Sequence, residues 1–138
     1  MTMNTILEAE KNHKKIVMVV EDDPTILSLY EHAFNAEGFK TYLAHDGEEG
    51  LKLIKDKNPD LVILDILMPK VNGIEVLGQL RKEESTKNLP VLVLTNYDTY
   101  RAKAMEYGIV DYLIKADVTL KDVMEKVNAI LKKGDAFK

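Results

Sequence analysis

The chain contains no cysteine. Disulfides, thiol nucleophiles and thiolate-bound metals are therefore excluded. It also lacks a long apolar run. The longest block, residues 16–20, is far too short to cross a bilayer or to serve as a signal-peptide core. Neither sign of charge is in large excess: 19 Lys and Arg stand against 23 Asp and Glu, for a net charge of -4. The two signs are interspersed, so there is no electrostatic footprint for nucleic acid or an anionic membrane. Internal repeats and low-complexity segments are missing as well. What remains is 138 residues, 46% hydrophobic and 30% charged. That suits one globular domain with a single core, cytoplasmic by default.

The most informative stretch is residues 59–73, Pro-Asp-Leu-Val-Ile-Leu-Asp-Ile-Leu-Met-Pro-Lys-Val-Asn-Gly. Its apolar block, 61–64, is short and follows a turn dipeptide. This pattern predicts a strand buried on both faces, as in a parallel sheet. Asp65 closes that strand, at the edge where open α/β sheets hold their ligands. Taken alone, Asp65 is equally readable as a strand end or a helix cap.

The flanking chain repeats the pattern. Residues 1–14 read as a polar tail or a short helix. Residues 16–20 predict a first strand, ending on Glu21-Asp22-Asp23 before Pro24. Asp23 and Pro24 form a helix start. The helix then runs to about residue 37, with Ile26, Leu29, Ala33 and Phe34 on one face, and Gly38 ends it. Residues 41–44 predict a less apolar strand. Asp46 and Glu49 open a second helix, which presents Leu51 and Ile54 and stops at Asn58-Pro59. Residues 61–65 form the third strand, and Asn72 with Glu75 caps a third helix. Residues 91–94 form a strand ending on Thr95. Asp98 is expected to cap a fourth helix that closes near Gly108. Residues 111–114 form a strand ending on Lys115. Thr119 and Asp122 make a capping box for a fifth helix, with Val118 and Val123 at its staple positions. Leu120, Val123, Val127, Ile130 and Leu131 form its apolar stripe, and Gly134 is expected to end it. Five strands alternating with five helices predict a doubly wound, flavodoxin-like parallel sheet. The least apolar strand, the second, belongs at an edge, which gives the order 2-1-3-4-5. The domain is expected over residues 15–133, with a tail over 134–138.

All strands of such a sheet end on one rim. Glu21, Asp22, Asp65, Thr95 and Lys115 therefore share a small cleft. Crowded carboxylates raise one another's pKa unless a cation joins them. A hard cation such as Mg²⁺ fits, since it needs only one or two carboxylates. Lys115 offers a point charge for a phosphoryl group, and Thr95 offers a hydroxyl. An aspartate can act as the nucleophile in phosphoryl transfer, a reaction that depends mainly on positioning and charge neutralisation. Asp65, on the middle strand, is the best placed.

From residue 15 to about 133 the chain resembles the receiver domain of two-component response regulators. The resemblance rests on Val20-Glu21-Asp22-Asp23, on Asp65-Ile66-Leu67-Met68-Pro69 with Gly73, on Thr95, and on Tyr112 three residues before Lys115. It implies that Asp65 is the phosphoacceptor, supplied by a histidine kinase or a histidine phosphotransfer protein. It implies a Mg²⁺ site made by Asp22, Asp65 and the backbone carbonyl of Leu67, with Glu21 acting through water. Thr95 and Lys115 would contact the phosphoryl oxygens, and Tyr112 would turn inward on activation. Output would leave through helix 4, strand 5 and helix 5, from a monomer or a weak phosphorylation-dependent dimer. No output domain follows helix 5 in this sequence, so the chain would either pass the signal to a separate protein target or act as a phosphoryl carrier in a relay. Two positions depart from the family pattern. Asn96 follows Thr95 where a small residue is usual, which would narrow the approach to Asp65. Ala116 follows Lys115 where proline in a cis bond is usual. The bond between Lys115 and Ala116 is expected to be trans, because a cis bond without proline costs about 2.5–4 kcal/mol.

Other readings are less well supported. A Mg²⁺ phosphohydrolase with an aspartyl nucleophile would place that residue at position 21, where this chain has Glu. A flavin module would need a phosphate loop where Glu21 and Asp22 would repel the phosphate. A degenerate, binding-only receiver is disfavoured by the presence of Asp65, Thr95 and Lys115. His13, His32 and His45 are expected to face solvent and share no ligand-like spacing.

Overall fold

A computed structural model describes residues 14–135, with side chains to residue 132. The readings made for residues 1–13 and 136–138, His13 among them, lie outside the described residues. Five strands, β1 (Ile16–Val20), β2 (Lys40–Ala44), β3 (Leu61–Leu64), β4 (Val91–Thr95) and β5 (Asp111–Ile114), alternate with five helices. The helices are α1 (Pro24–Ala36), α2 (Gly47–Lys57), α3 (Gly73–Lys82), α4 (Arg101–Glu106) and α5 (Leu120–Asp135). Every strand pair is parallel, in the order β2-β1-β3-β4-β5. That is the predicted architecture.

Strand periodicity divides the core in two. Val17, Val19, Leu61, Ile63, Leu92 and Leu94 face α1 and α5, meeting Leu27, Phe34, Val123 and Val127. Met18, Val20, Val62, Leu64, Val91 and Val93 face the other way, onto Ile54, Val76, Leu77, Leu80 and Ala104. The continuous apolar strands are thus explained: successive residues serve opposite layers, and both layers are covered. Burying each such side chain contributes about 1.5–3 kcal/mol.

The helix starts follow their caps. Asp23 accepts from the Thr25 N–H at 2.9 Å, Asp46 from Glu49 at 2.8 Å, and Asn72 from Glu75 at 3.0 Å. Thr119 and Asp122 bond each other's N–H groups reciprocally, at 3.1 and 2.9 Å. Asn58 ends α2 in the left-handed conformation, φ 48°, where Asn is tolerated.

Four local expectations differ from the structure. On α1, Phe34 is buried and Ile26 and Ala33 pack against the core as expected, but Leu29 is 51% exposed, and Leu27 and Tyr30 take the inward places instead. The Tyr30 and Phe34 rings stack at 5.8 Å and turn that aromatic edge toward the sheet. Asp98 does not cap α4. Its carboxylate accepts from Arg101 Nε at 2.7 Å instead, and residues 98–100 form a 3-10 turn ahead of the helix. Helix α5 passes through Gly134 to Asp135, since a helical glycine costs only about 1 kcal/mol. Strand β3 ends at Leu64, leaving Asp65 as the first residue of the following loop.

Candidate functional site

Ladder bonds carry the chain one residue past β1 and β3. Glu21 N–H donates to the Ala44 carbonyl and Asp65 N–H to the Val20 carbonyl, both at 3.0 Å. The two carboxylates are thereby fixed side by side on the rim. They are buried, at 3% exposure for Glu21 and 7% for Asp65. Asp65 Oδ1 accepts from the Ile66 N–H at 2.8 Å, and Oδ2 from Lys115 Nζ at 3.1 Å. Lys115 also donates to both Glu21 oxygens at 2.9 Å. Asp22 is exposed, yet its carboxylate closes the group: ligand atoms of Glu21, Asp22 and Asp65 lie within 4.8 Å of one another.

The floor beneath is apolar, made by Ile26, Tyr30, Ile63 and Leu94. Burial there, and then the adjacent Asp65 carboxylate, push the Glu21 pKa from 4.5 up to about 8, against the opposing pull of Lys115. Burial works against the Lys115 charge, but its bonds to Glu21 and Asp65 outweigh that and raise its pKa. Thr95 is fully buried, and its hydroxyl has no hydrogen-bond partner. A buried polar group without a partner is costly, which makes this hydroxyl an exception among buried polar groups.

The loop after Asp65 is held tightly by α3. The Gly73 N–H donates to the Ile66 carbonyl at 2.7 Å, and a Cβ on Gly73 would meet the Asp65 carbonyl and sit 2.7 Å from Ile66 Cα. Only glycine allows α3 to approach this closely. Leu67 lies in this loop, two residues after Asp65, with its side chain 37% exposed.

This geometry and the sequence agree with the family comparison. A family model described as the response regulator receiver domain matches residues 17–128. The chain belongs to the response regulator receiver family. The chain is 36% identical over 123 residues to the alkaline phosphatase synthesis transcriptional regulatory protein PhoP of Bacillus subtilis, an alignment covering 88% of this chain and 50% of that one. It is 37% identical to the transcriptional regulatory protein CpxR of Klebsiella pneumoniae, covering 86% and 50%. The receiver thus spans about half the length of the curated relatives it matches. Among solved structures, the response regulator TrrA of Thermotoga maritima, in complex with Mg²⁺-BeF, superposes with TM-score 0.75 at 37% identity, over 85% of this chain and 99% of that one. A CheY-like receiver from Methanospirillum hungatei gives TM-score 0.82 at 24% identity, over 91% and 100%, and supports the fold. Receivers of this family are components of two-component signalling, and this chain is one of them.

The receiver fold brings together Glu21, Asp22, Asp65 and Lys115, with Thr95 buried at the end of the adjacent strand. Asp23 points away to cap α1, as its position before Pro24 implies. Tyr112 is 2% exposed, and its hydroxyl donates to the Tyr97 carbonyl. Arg101 holds it there, with its guanidinium 4.7 Å from the ring centroid. Among the described residues no peptide bond is cis, so the bond from Lys115 to Ala116 is trans, as expected. Two participants were not legible as such. Tyr30 lines the site floor beside the expected Ile26, an inward place that the apolar spacing of α1 did not assign to it. Asn96 was expected to narrow the approach to Asp65, and its bond to the Ala116 N–H at 3.1 Å was not foreseen. His32 and His45 are exposed, as expected.

Proposed function

We propose that Asp65 accepts a phosphoryl group from a phosphohistidine on a histidine kinase or a histidine phosphotransfer protein. The observation that carries this reading is the Asp65 carboxylate itself. It is buried on the rim, oriented by the Ile66 N–H, paired with Lys115 and grouped with two further carboxylates. In the reaction an Asp65 oxygen bonds to phosphorus while the bond from phosphorus to the histidine nitrogen breaks. Lys115 contacts the incoming phosphoryl oxygens, which requires it to loosen its hold on Glu21. The unpartnered Thr95 hydroxyl donates to another of those oxygens.

The donor set suits Mg²⁺, because three carboxylates face one another with a single ammonium between them. Asp22, Asp65 and the Leu67 carbonyl would hold the ion, and Glu21 would reach it through water. Bound there, Mg²⁺ would neutralise charge on the carboxylates and on the transferring phosphoryl group. The product stays on the protein, so the chain acts as a signalling receiver and not as a turnover enzyme. A cytoplasmic location follows from that role. No helix among the described residues is long and apolar enough to cross a membrane. The phosphohydrolase alternative gains nothing from the geometry, since Glu21 is buried with both oxygens bound to Lys115.

Incubation with Mg²⁺ and acetyl phosphate should add one phosphoryl mass to the native chain and none to Asp65→Ala. Labelling that survives in the variant would overturn the assignment.

A further inference from the structure

Strands β4 and β5 pair in register, with Thr95 opposite Ile114. The next residues, Asn96 and Lys115, therefore leave the sheet side by side. Residues 115–117 make a 3-10 turn whose preceding residue, Ile114, supplies no side-chain cap. The first N–H groups of such a turn have no partner within it. Asn96 supplies one from the neighbouring loop: its Oδ1 accepts the Ala116 N–H at 3.1 Å. The two positions at which this sequence departs from the family pattern are thus bonded to each other. Proline at 116 would have no N–H to donate, and a small residue at 96 would have no oxygen to reach it.

We infer that Asn96 is a positioning residue, strapping the strand end that carries Thr95 to the turn that carries Lys115. The inference rests on the phosphoacceptor reading above and names what fixes the spacing of its two phosphoryl contacts. Lys115 stands one residue before the bonded N–H and reaches Glu21 and Asp65 from that turn. Thr95 stands one residue before the bonded side chain. With the strap in place, a displacement of Thr95 toward a phosphoryl oxygen carries the Lys115 turn with it. Without it, each loop must be ordered separately in the transition state, and the cost falls on rate and not on metal binding. Among the described residues, Asn96 makes no hydrogen bond to the rim carboxylates.

The bond is exposed at both ends, so its effect is modest. Asn96→Ala should lower the saturating rate of phosphorylation by acetyl phosphate by about three- to tenfold, the range of one net hydrogen bond. Mg²⁺ affinity by calorimetry should stay at its native value, while the melting midpoint should fall by no more than a few degrees, the worth of one exposed hydrogen bond. In an Ala116→Pro background, which has no donor left to lose, Asn96→Ala should change the rate no further. Hydrogen exchange of the Ala116 amide gives a second measurement that needs no phosphorylation: it should be protected in the native receiver and fast in Asn96→Ala. An unprotected Ala116 amide in the native protein would overturn the strap. Protection with an unchanged saturating rate, or a further rate loss of full size in the Ala116→Pro background, would overturn its positioning role. The Asp65→Ala control keeps the two readings apart. Labelling that persists there refutes the phosphoacceptor assignment, while the amide exchange still reports on the strap.

Discussion

At the scale of single residues, neighbours in the acidic run have been given different tasks by backbone geometry. Asp23 commits its carboxylate to the Thr25 N–H at the start of α1, while Asp22 points into the group with Glu21 and Asp65. Asp22→Ala should therefore abolish most Mg²⁺ binding in a calorimetric titration with little change in melting. Asp23→Ala should leave the titration intact and cost about 1 kcal/mol of stability, the usual worth of an N-cap. Exchanged effects would show that the register is off by one. Glu21 makes a different prediction, in pH. Its carboxyl keeps its proton to about pH 8 in the folded receiver, against an ordinary value of 4.5, because it is buried beside Asp65. The folded state thus binds the extra proton between those limits, and stability must fall as pH rises through them. A tenfold difference in proton affinity between the folded and unfolded chain corresponds to about 1.4 kcal/mol. In chelator, denaturant titrations from pH 5 to pH 8 should show a declining stability that Glu21→Gln flattens. An equally steep decline in that variant would place the titrating group elsewhere.

At the scale of elements, α4 is the weakest part of the frame. It has six residues and buries only Ala104, whereas α3 buries Val76, Leu77 and Leu80. Arg101 does much of the anchoring. It donates to the Asp98 carboxylate at 2.7 Å and to the Tyr112 carbonyl at 3.2 Å, and it lies over the Tyr112 ring. The Tyr112 hydroxyl in turn holds the Tyr97 carbonyl, two residues beyond Thr95. A displacement of Thr95 should therefore reach α4 and the outer face of β5 through these contacts. Few buried contacts also mean low local stability, so this segment should open first. Hydrogen exchange should be faster over residues 98–106 than over α3 or α5. On adding Mg²⁺ and acetyl phosphate, the largest change in exchange should fall on residues 97–114. Tyr112→Ala should keep the phosphoryl mass and lose most of that change. A response centred on α1 would put the output surface on the opposite layer.

At the scale of the whole molecule, much of the design was readable because local rules agreed with the fold. The runs at 16–20, 61–64 and 91–95 could be recognised as doubly buried strands, and the caps at Asp23, Asp46, Asn72 and Thr119 all form. The site was readable for the same reason: parallel strands end on one rim, so Glu21, Asp65, Thr95 and Lys115 had to meet. What could not be read depends on distant partners. On α1 the inward place went to Leu27 and Tyr30 and not to Leu29, a choice between apolar neighbours that helical spacing alone does not make. Asp98 chose Arg101 over a backbone N–H, and the partner of Asn96 follows from a register set twenty positions away. One consequence belongs to the molecule as a whole. The rim gathers three carboxylates around one lysine, and Glu21 is buried there at the cost of a raised pKa. A cation that binds this rim only when the chain is folded must stabilise the entire domain, by about 2.7 kcal/mol at a hundred times its dissociation constant. For a domain of this size that is a rise of roughly 10 °C in the melting midpoint. Melting in increasing Mg²⁺ should show that rise, with chelator reversing it. Asp22→Ala should melt near the metal-free native midpoint and respond little to Mg²⁺. A native midpoint indifferent to Mg²⁺ would mean that Lys115 already satisfies the rim and that its carboxylates take no metal.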